Sequence, residues 1–173
     1  MFNLLLNNVG RASDRRLATE KIGIIDVGFK TADYTISNKT RYSERGSQST
    51  DAGVSKAFKG IAAALHEKSG VNVELYRLYD AVSEGSIKIR GRTFDLDKIT
   101  AHAMQRLATR IATEVNQLWA DDWDIHSIVI TGGGGAALAP HLSGQLLGQV
   151  LEVNADNNTP RATCCAYQQS VTS

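Results

Sequence analysis

Apolar positions change period several times along the chain, and each change marks an element. Lys21-Ile22-Gly23-Ile24-Ile25-Asp26-Val27-Gly28 is a short, β-branched apolar run closed by glycine, the pattern of a buried strand. Phe29-Lys30-Thr31 reads as its turn, and Ala32 to Ser37 alternates as a hairpin partner would. Thr40 to Arg45 is a candidate third strand. Gly46 to Gly53, rich in Ser and Gly, reads as a loop. Val54, Ala57, Phe58, Ile61, Ala62 and Leu65 then fall at helical spacing, with Gly70 as a stop. A longer stripe, Ile99, Ala103, Leu107, Ile111, Val115 and Leu118, predicts a helix from Asp97 to Trp119. Between the two helices, residues 73–95 predict a short helix and a small hairpin tipped by Arg90-Gly91-Arg92, together a small insert.

Ile125 to Thr131 predicts a second buried strand, which runs into Gly132-Gly133-Gly134-Gly135. Pro140 suits the first turn of the helix that follows, and Gly148 its end. Val150 to Val153 is a last strand. Thr159 as N-cap and Pro160 as first helical residue predict a helical tail toward Ser173. Residues 1–20 form a polar lead-in. Short connections make the first strands antiparallel, and helical crossovers force parallel pairing later. The expected fold is α/β: a mixed five-stranded sheet with helices on both faces, built from a single domain over residues 1–173.

Charge narrows the function classes. Lys and Arg number 19 against 18 Asp and Glu, so the net charge is +1, which argues against a dedicated DNA-binding domain. No apolar run is long enough for a membrane span. Met1 to Leu6 is too short, and lacks the basic lead, of a signal peptide. Cys164 and Cys165 are adjacent and close no useful loop, which points to a reducing, cytoplasmic setting. His66, His102, His126 and His141 show no metal-ligand spacing. Arg106 and Arg110, four apart, read as a solvated helix face.

Two segments could carry chemistry. In Asp26-Val27-Gly28-Phe29-Lys30-Thr31, an acid ends a buried strand and a glycine turn follows. Such a turn can offer backbone N–H groups to phosphate oxygens, Thr31 adds a hydroxyl, and Asp26 can orient waters around Mg²⁺. A plain strand-to-hairpin turn fits the same residues. In Gly132 to Gly135, four glycines separate a strand from a helix. Ordering them costs about 0.5–1 kcal/mol each relative to alanine. Close approach of a ligand to the backbone at a helix N-terminus would offset that cost, and a flexible crossover loop is the alternative. Both segments sit at carboxyl ends of predicted buried strands, where open α/β sheets bind ligands.

Taken together, Ile24 to Tyr34 resembles the phosphate-2 motif, and Val129 to Gly135 the adenosine motif, of the actin, sugar-kinase and heat-shock ATPase superfamily. The Asp-x-Gly-x-x-Thr-x-Asp-Tyr form is most similar to prokaryotic actin-like proteins of the ParM/StbA plasmid-segregation type and their archaeal relatives. The resemblance implies a ribonuclease-H-like fold that binds ATP or ADP with Mg²⁺ held through water by Asp26. It implies that Gly28, Lys30 and Thr31 contact phosphates and that Asp33 supports the hairpin. Gly132, Gly133, Gly134 and Gly135 would then approach the adenosine and α-phosphate. It also implies self-association, an indirect link to plasmid DNA through an adaptor, and a first domain carrying a phosphate-1 motif, which nothing upstream of Lys21 resembles. The chain therefore reads as the second domain alone. No catalytic residue is assigned, and the isolated chain is expected to lack ATPase activity. Relatives often carry Ala-Asn-x-x-Gly-Tyr after a proline, whereas Thr163 and Ala166 replace the Asn and Gly here.

Two other readings stay open. One is a self-association module that keeps the fold without binding nucleotide. The other is a Mg²⁺-dependent nuclease on the same fold, which needs several converging carboxylates. Asp26 and Asp33 are available for it, but seven residues apart on a hairpin they need not converge.

Overall fold

Strand β1, Lys21–Val27, is the centre of the fold because it pairs on both sides. It runs antiparallel to β2, Ala32–Asn38, and parallel to β6, Ser127–Thr131. The computed structural model describes residues 19–39, 41–153 and 160–162. Within them a six-stranded sheet has the order β3-β2-β1-β6-β7-β8, with β3 at Arg41–Thr50, β7 at Gln149–Val153 and β8 at Pro160–Ala162. The mixed sheet thus has the five expected strands and a short sixth at its far edge. Four helices are described: α1 Ser55–Ser69, α2 Leu75–Ser83, α3 Asp97–Leu118 and α4 Gly135–Leu142. The hairpin of β4, Ser86–Ile89, and β5, Arg92–Asp95, stands apart as its own two-stranded sheet.

Strand alternation sorts the side chains onto two faces. Ile25, Val27, Tyr34, Ile36, Ile128, Ile130 and Val150 join the apolar stripes of all four described helices in one core. The opposite face buries a separate cluster of Ile22, Ile24, Val129 and Leu151. Any helix on that second face lies outside the described residues.

The long helix α3 ties distant parts of the chain together. Its 22 residues span about 33 Å. At its start the Leu96 amide donates to Gly85 O, and the Asp97 amide to Asp95 Oδ1, which fixes the β4–β5 hairpin there. Just past its end Trp119 is buried against Gly23 of β1, and its Nε1 donates to Gly46 O at 2.9 Å. Nearby, Lys21 Nζ bonds Asp122 at 2.7 Å and Asp124 at 2.6 Å, so β1 and the loop before β6 are clamped at their amino ends.

Three local expectations are corrected. Residues 46–50 are strand, not loop: β3 continues to Thr50, and the irregular register opposite Tyr34 and Ile36 absorbs its extra residues. The open edge of β2 supplies hydrogen-bonding partners that Ser- and Gly-rich composition does not reveal. Pro140 lies near the end of α4, because that helix begins inside the glycine run at Gly135; it ends at Leu142, well before Gly148. Pro160–Ala162 is an edge strand antiparallel to β7, not a helix start. Proline suits the first residue of an edge strand, where its missing N–H breaks no ladder. The remainder of the expected helical tail, with Cys164 and Cys165, lies outside the described residues.

The Trp119 contact gives a stability test. A Cβ at Gly23 would sit 2.5 Å from Trp119 Cζ3. Gly23→Ala is expected to cost about 1–3 kcal/mol through overpacking, read as a lower urea midpoint with unchanged slope. An unchanged midpoint would show that the indole moves aside freely.

Candidate functional site

The parallel register of β1 and β6 sets Asp26 beside Thr131, so both strands end side by side and their following segments meet. The Gly134 amide donates to Val27 O at 2.9 Å, and the Gly135 amide to Gly132 O at 3.0 Å, closing the glycine run into a turn that opens α4. Gly132 has φ +90°, and a Cβ there would overlap Asp26 Oδ1 and the Val27 carbonyl. Gly134 is pressed against Val27 and Val54 in the same way. Gly133, exposed like Gly132, is different: its φ is not positive and a Cβ would meet nothing within 4 Å. Nothing inside the described chain requires glycine at that position.

The turn after β1 is held from outside. The Gly28 amide donates to Thr31 O at 2.9 Å. The amides of Gly53, Val54 and Ser55 donate to the carbonyls of Lys30, Gly28 and Phe29 at 3.2, 3.1 and 2.9 Å. Three turn carbonyls are thereby engaged by the segment that opens α1. Gly53 lies so close to Phe29 and Lys30 that any side chain there would overlap their backbone. Lys30 and Thr31 are exposed at the turn, and Gly28 is half-buried beneath them.

Asp26 and Asp33 stand directly opposite each other in the β1–β2 register. They share a face of the sheet, so the expectation that they need not converge is corrected: in a hairpin, residues on either side of a tight turn are cross-strand neighbours. Burial raises the Asp26 pKa above the ordinary carboxylate value, and the charge of Asp33 raises it further. Among the described residues no third acidic, histidine or cysteine ligand completes a metal cluster with them. The start of α4 at Gly135 adds the positive end of a helix dipole beside the glycine turn.

The structure thus brings Asp26, Asp33 and Gly132 into one locus, sets Gly134 and Gly135 beneath it, and leaves Lys30, Thr31 and Gly133 exposed at its rim. The residues that sequence reasoning missed are Gly53, Val54 and Ser55, whose partnership with the turn depends on β3 running to Thr50. A concavity of about 610 Å³ between α1 and α3 includes neither segment in its lining. Thr163 and Ala166 lie outside the described residues. No described helix is long and apolar enough to cross a membrane.

Residues 24–144 match the family model described as archaeal actin homologue MreB-like, C-terminal. Among solved structures, a pCBH ParM non-polymerisable quadruple mutant is 28% identical with a TM-score of 0.73, covering 85% of this chain and 47% of that one. A ParM from a 15-stranded filament of Clostridium botulinum is also 28% identical, with a TM-score of 0.69 over 79% of this chain and 42% of that one. The archaeal actin homologue Ta0583, solved in complex with ADP, shares the fold at 18% identity and a TM-score of 0.71, over 82% of this chain and 47% of that one. The chain spans less than half the length of each. No curated protein sequence matches it.

The raised Asp26 pKa fixes the sign of a pH effect. The folded state binds the Asp26 proton more tightly than the unfolded state, so ionising this group works against folding. Its contribution is fully present below the ordinary carboxylate range and is lost as pH rises through the folded pKa. Asp26→Asn is therefore expected to raise stability at pH 7 in the ligand-free chain, with the gain shrinking as pH falls into that range. Chemical denaturation across pH reads this directly; an Asn variant less stable than the parent at pH 7 contradicts it.

Proposed function

The chain belongs to the family of C-terminal domains of archaeal MreB-like actin homologues, and from that premise we propose that it is the nucleotide-binding half of an actin-like, filament-forming ATPase of the ParM type. On this reading residues 1–173 are the second domain, with 73–95 as a small insert, and a first domain or partner chain supplies the opposite wall of the cleft. The observation that carries it is the meeting of two glycine-rich segments at the carboxyl ends of adjacent parallel strands.

Each residue then has a role that its surroundings support. The turn at half-buried Gly28 and exposed Lys30 and Thr31 contacts the phosphates of ATP or ADP, with Lys30 supplying positive charge. Asp26 holds Mg²⁺ through water, and Asp33 adds a second carboxylate across the strand pair. The donor set fits such an ion, since two facing carboxylates, one of them desolvated, are relieved by a divalent cation. The ion when bound neutralises phosphate charge. Gly132 to Gly135 line the approach of the adenosine and α-phosphate, and Gly133 is the position whose missing side chain only a ligand would require. The ADP complex of the archaeal homologue supports nucleotide as the ligand class, and the Clostridium botulinum filament supports self-association. A cytoplasmic role in plasmid segregation, reached through a DNA adaptor, follows from the ParM likeness. The nuclease reading is weaker, because it needs a third converging carboxylate.

An amide NMR titration with Mg·ADP tests the reading. Shifts should concentrate at Gly28 to Thr31 and Gly132 to Gly135; no shift at saturating nucleotide overturns binding by this chain. Gly133→Ala should leave stability unchanged or higher by about 0.4–1 kcal/mol, because its site is open. The same change should weaken Mg·ADP about tenfold, or ~1.4 kcal/mol. Equal affinity in parent and variant would remove Gly133 from the site.

A further inference from the structure

The segment that grips the turn after β1 is itself fastened by a chain of alternating charges. Arg110 on α3 donates through Nη2 to Asp51 Oδ1 at 2.5 Å and through Nε to Glu114 Oε1 at 2.9 Å. Glu114 Oε2 accepts the buried Tyr34 hydroxyl at 2.7 Å, and that hydroxyl also lies 3.2 Å from Thr50 Oγ1. Asp51 Oδ2 takes Lys56 Nζ at 2.6 Å. Burial works against the Glu114 charge, yet hydrogen bonds from Tyr34 and Arg110 hold its carboxyl below the ordinary value. Arg110 therefore bridges a carboxylate anchored in the core to one that stands two residues before Gly53. The planar guanidinium fork suits this double contact, which a lysine could not make from two nitrogens.

Residues 53–55 carry the three amides that bind the turn carbonyls. We propose that Arg110, acting through Asp51 and Glu114, is a positioning residue for the phosphate-binding turn: it fixes the 51–55 segment, and that segment fixes Gly28 to Thr31. This deepens the nucleotide-binding reading and rests on it for the ligand. Arg110 and Asp51 are 44% and 64% exposed, so the pair adds little to global stability; its effect is local order.

The test uses Arg110→Gln, Asp51→Asn and the double variant of the full chain. Amide hydrogen exchange is followed first without nucleotide. The amides of Gly53, Val54 and Ser55 should exchange roughly three- to fivefold faster, the range an exposed ion-pair network controls. Those of Ile111 and Ile128 should keep their rates. The double variant should add little to either single change, as expected for one shared interaction. Mg·ADP affinity should fall by a similar factor with Tm nearly constant. Unchanged rates at 53–55, uniform acceleration across the chain, or fully additive effects would each overturn the proposal. If the parent chain shows no Mg·ADP binding while the local acceleration appears, the turn-positioning role stands and the nucleotide reading falls.

Discussion

The structure depends on the parallel pairing of β1 with β6. That register ends both strands at one level and drives the backbone of Gly132 onto the Asp26 carboxylate and the Val27 carbonyl. Two segments a hundred residues apart in sequence thereby become one edge. The closeness is steric before it is chemical: at Gly132 the neighbouring strand leaves no room for a Cβ and φ is positive, which other residues rarely adopt, and at Gly134 a Cβ would run into the Val54 side chain. The contact costs chain entropy and is stabilised by the Gly134-to-Val27 hydrogen bond and by the core beneath it.

The rest of the chain holds that edge in place. Helix α3 runs from the β4–β5 hairpin to Trp119 at the amino end of β1, so one rigid element spans the molecule past the site. Lys21 clamps the lower end of β1 between two aspartates. At the upper end, the 53–55 amides bind the turn, and the Tyr34–Glu114–Arg110–Asp51 chain fastens those amides to α3. Order at the turn comes from its own Gly28-to-Thr31 hydrogen bond and from three more donated by a neighbouring segment. This is how an exposed loop can keep a defined shape.

The same arrangement explains why the site has two kinds of residue. Asp26 and Asp33 face each other across a strand pair, partly desolvated, in a state that a cation relieves. Lys30, Thr31 and Gly133 stand outside the packed layer, exposed, and a Cβ at Gly133 would meet nothing among the described residues. On the proposed reading, this packed acidic base with an open rim is one wall of a phosphate-binding cleft. The chain spans less than half the length of the ParM and archaeal actin structures it is similar to.

The sequence by itself determined the element order as far as β7, the placement of α1 and α3, the two buried strands and both glycine segments. Those features follow from local periodicity and from glycine's backbone freedom, which are visible one window at a time. The tertiary structure decided the rest. Strand β3 extends through a Ser- and Gly-rich stretch, and Pro160–Ala162 becomes an edge strand, because open ladder positions on β2 and β7 accept them. Register, not spacing along the chain, brings Asp33 opposite Asp26. Arg110 reads as a solvated helix face in sequence and becomes a bridge only once α3 lies beside β2 and the 51–55 segment. The pairing of β1 with β6 and the Arg110 bridge to Asp51 join residues far apart in sequence, and no local pattern encodes them.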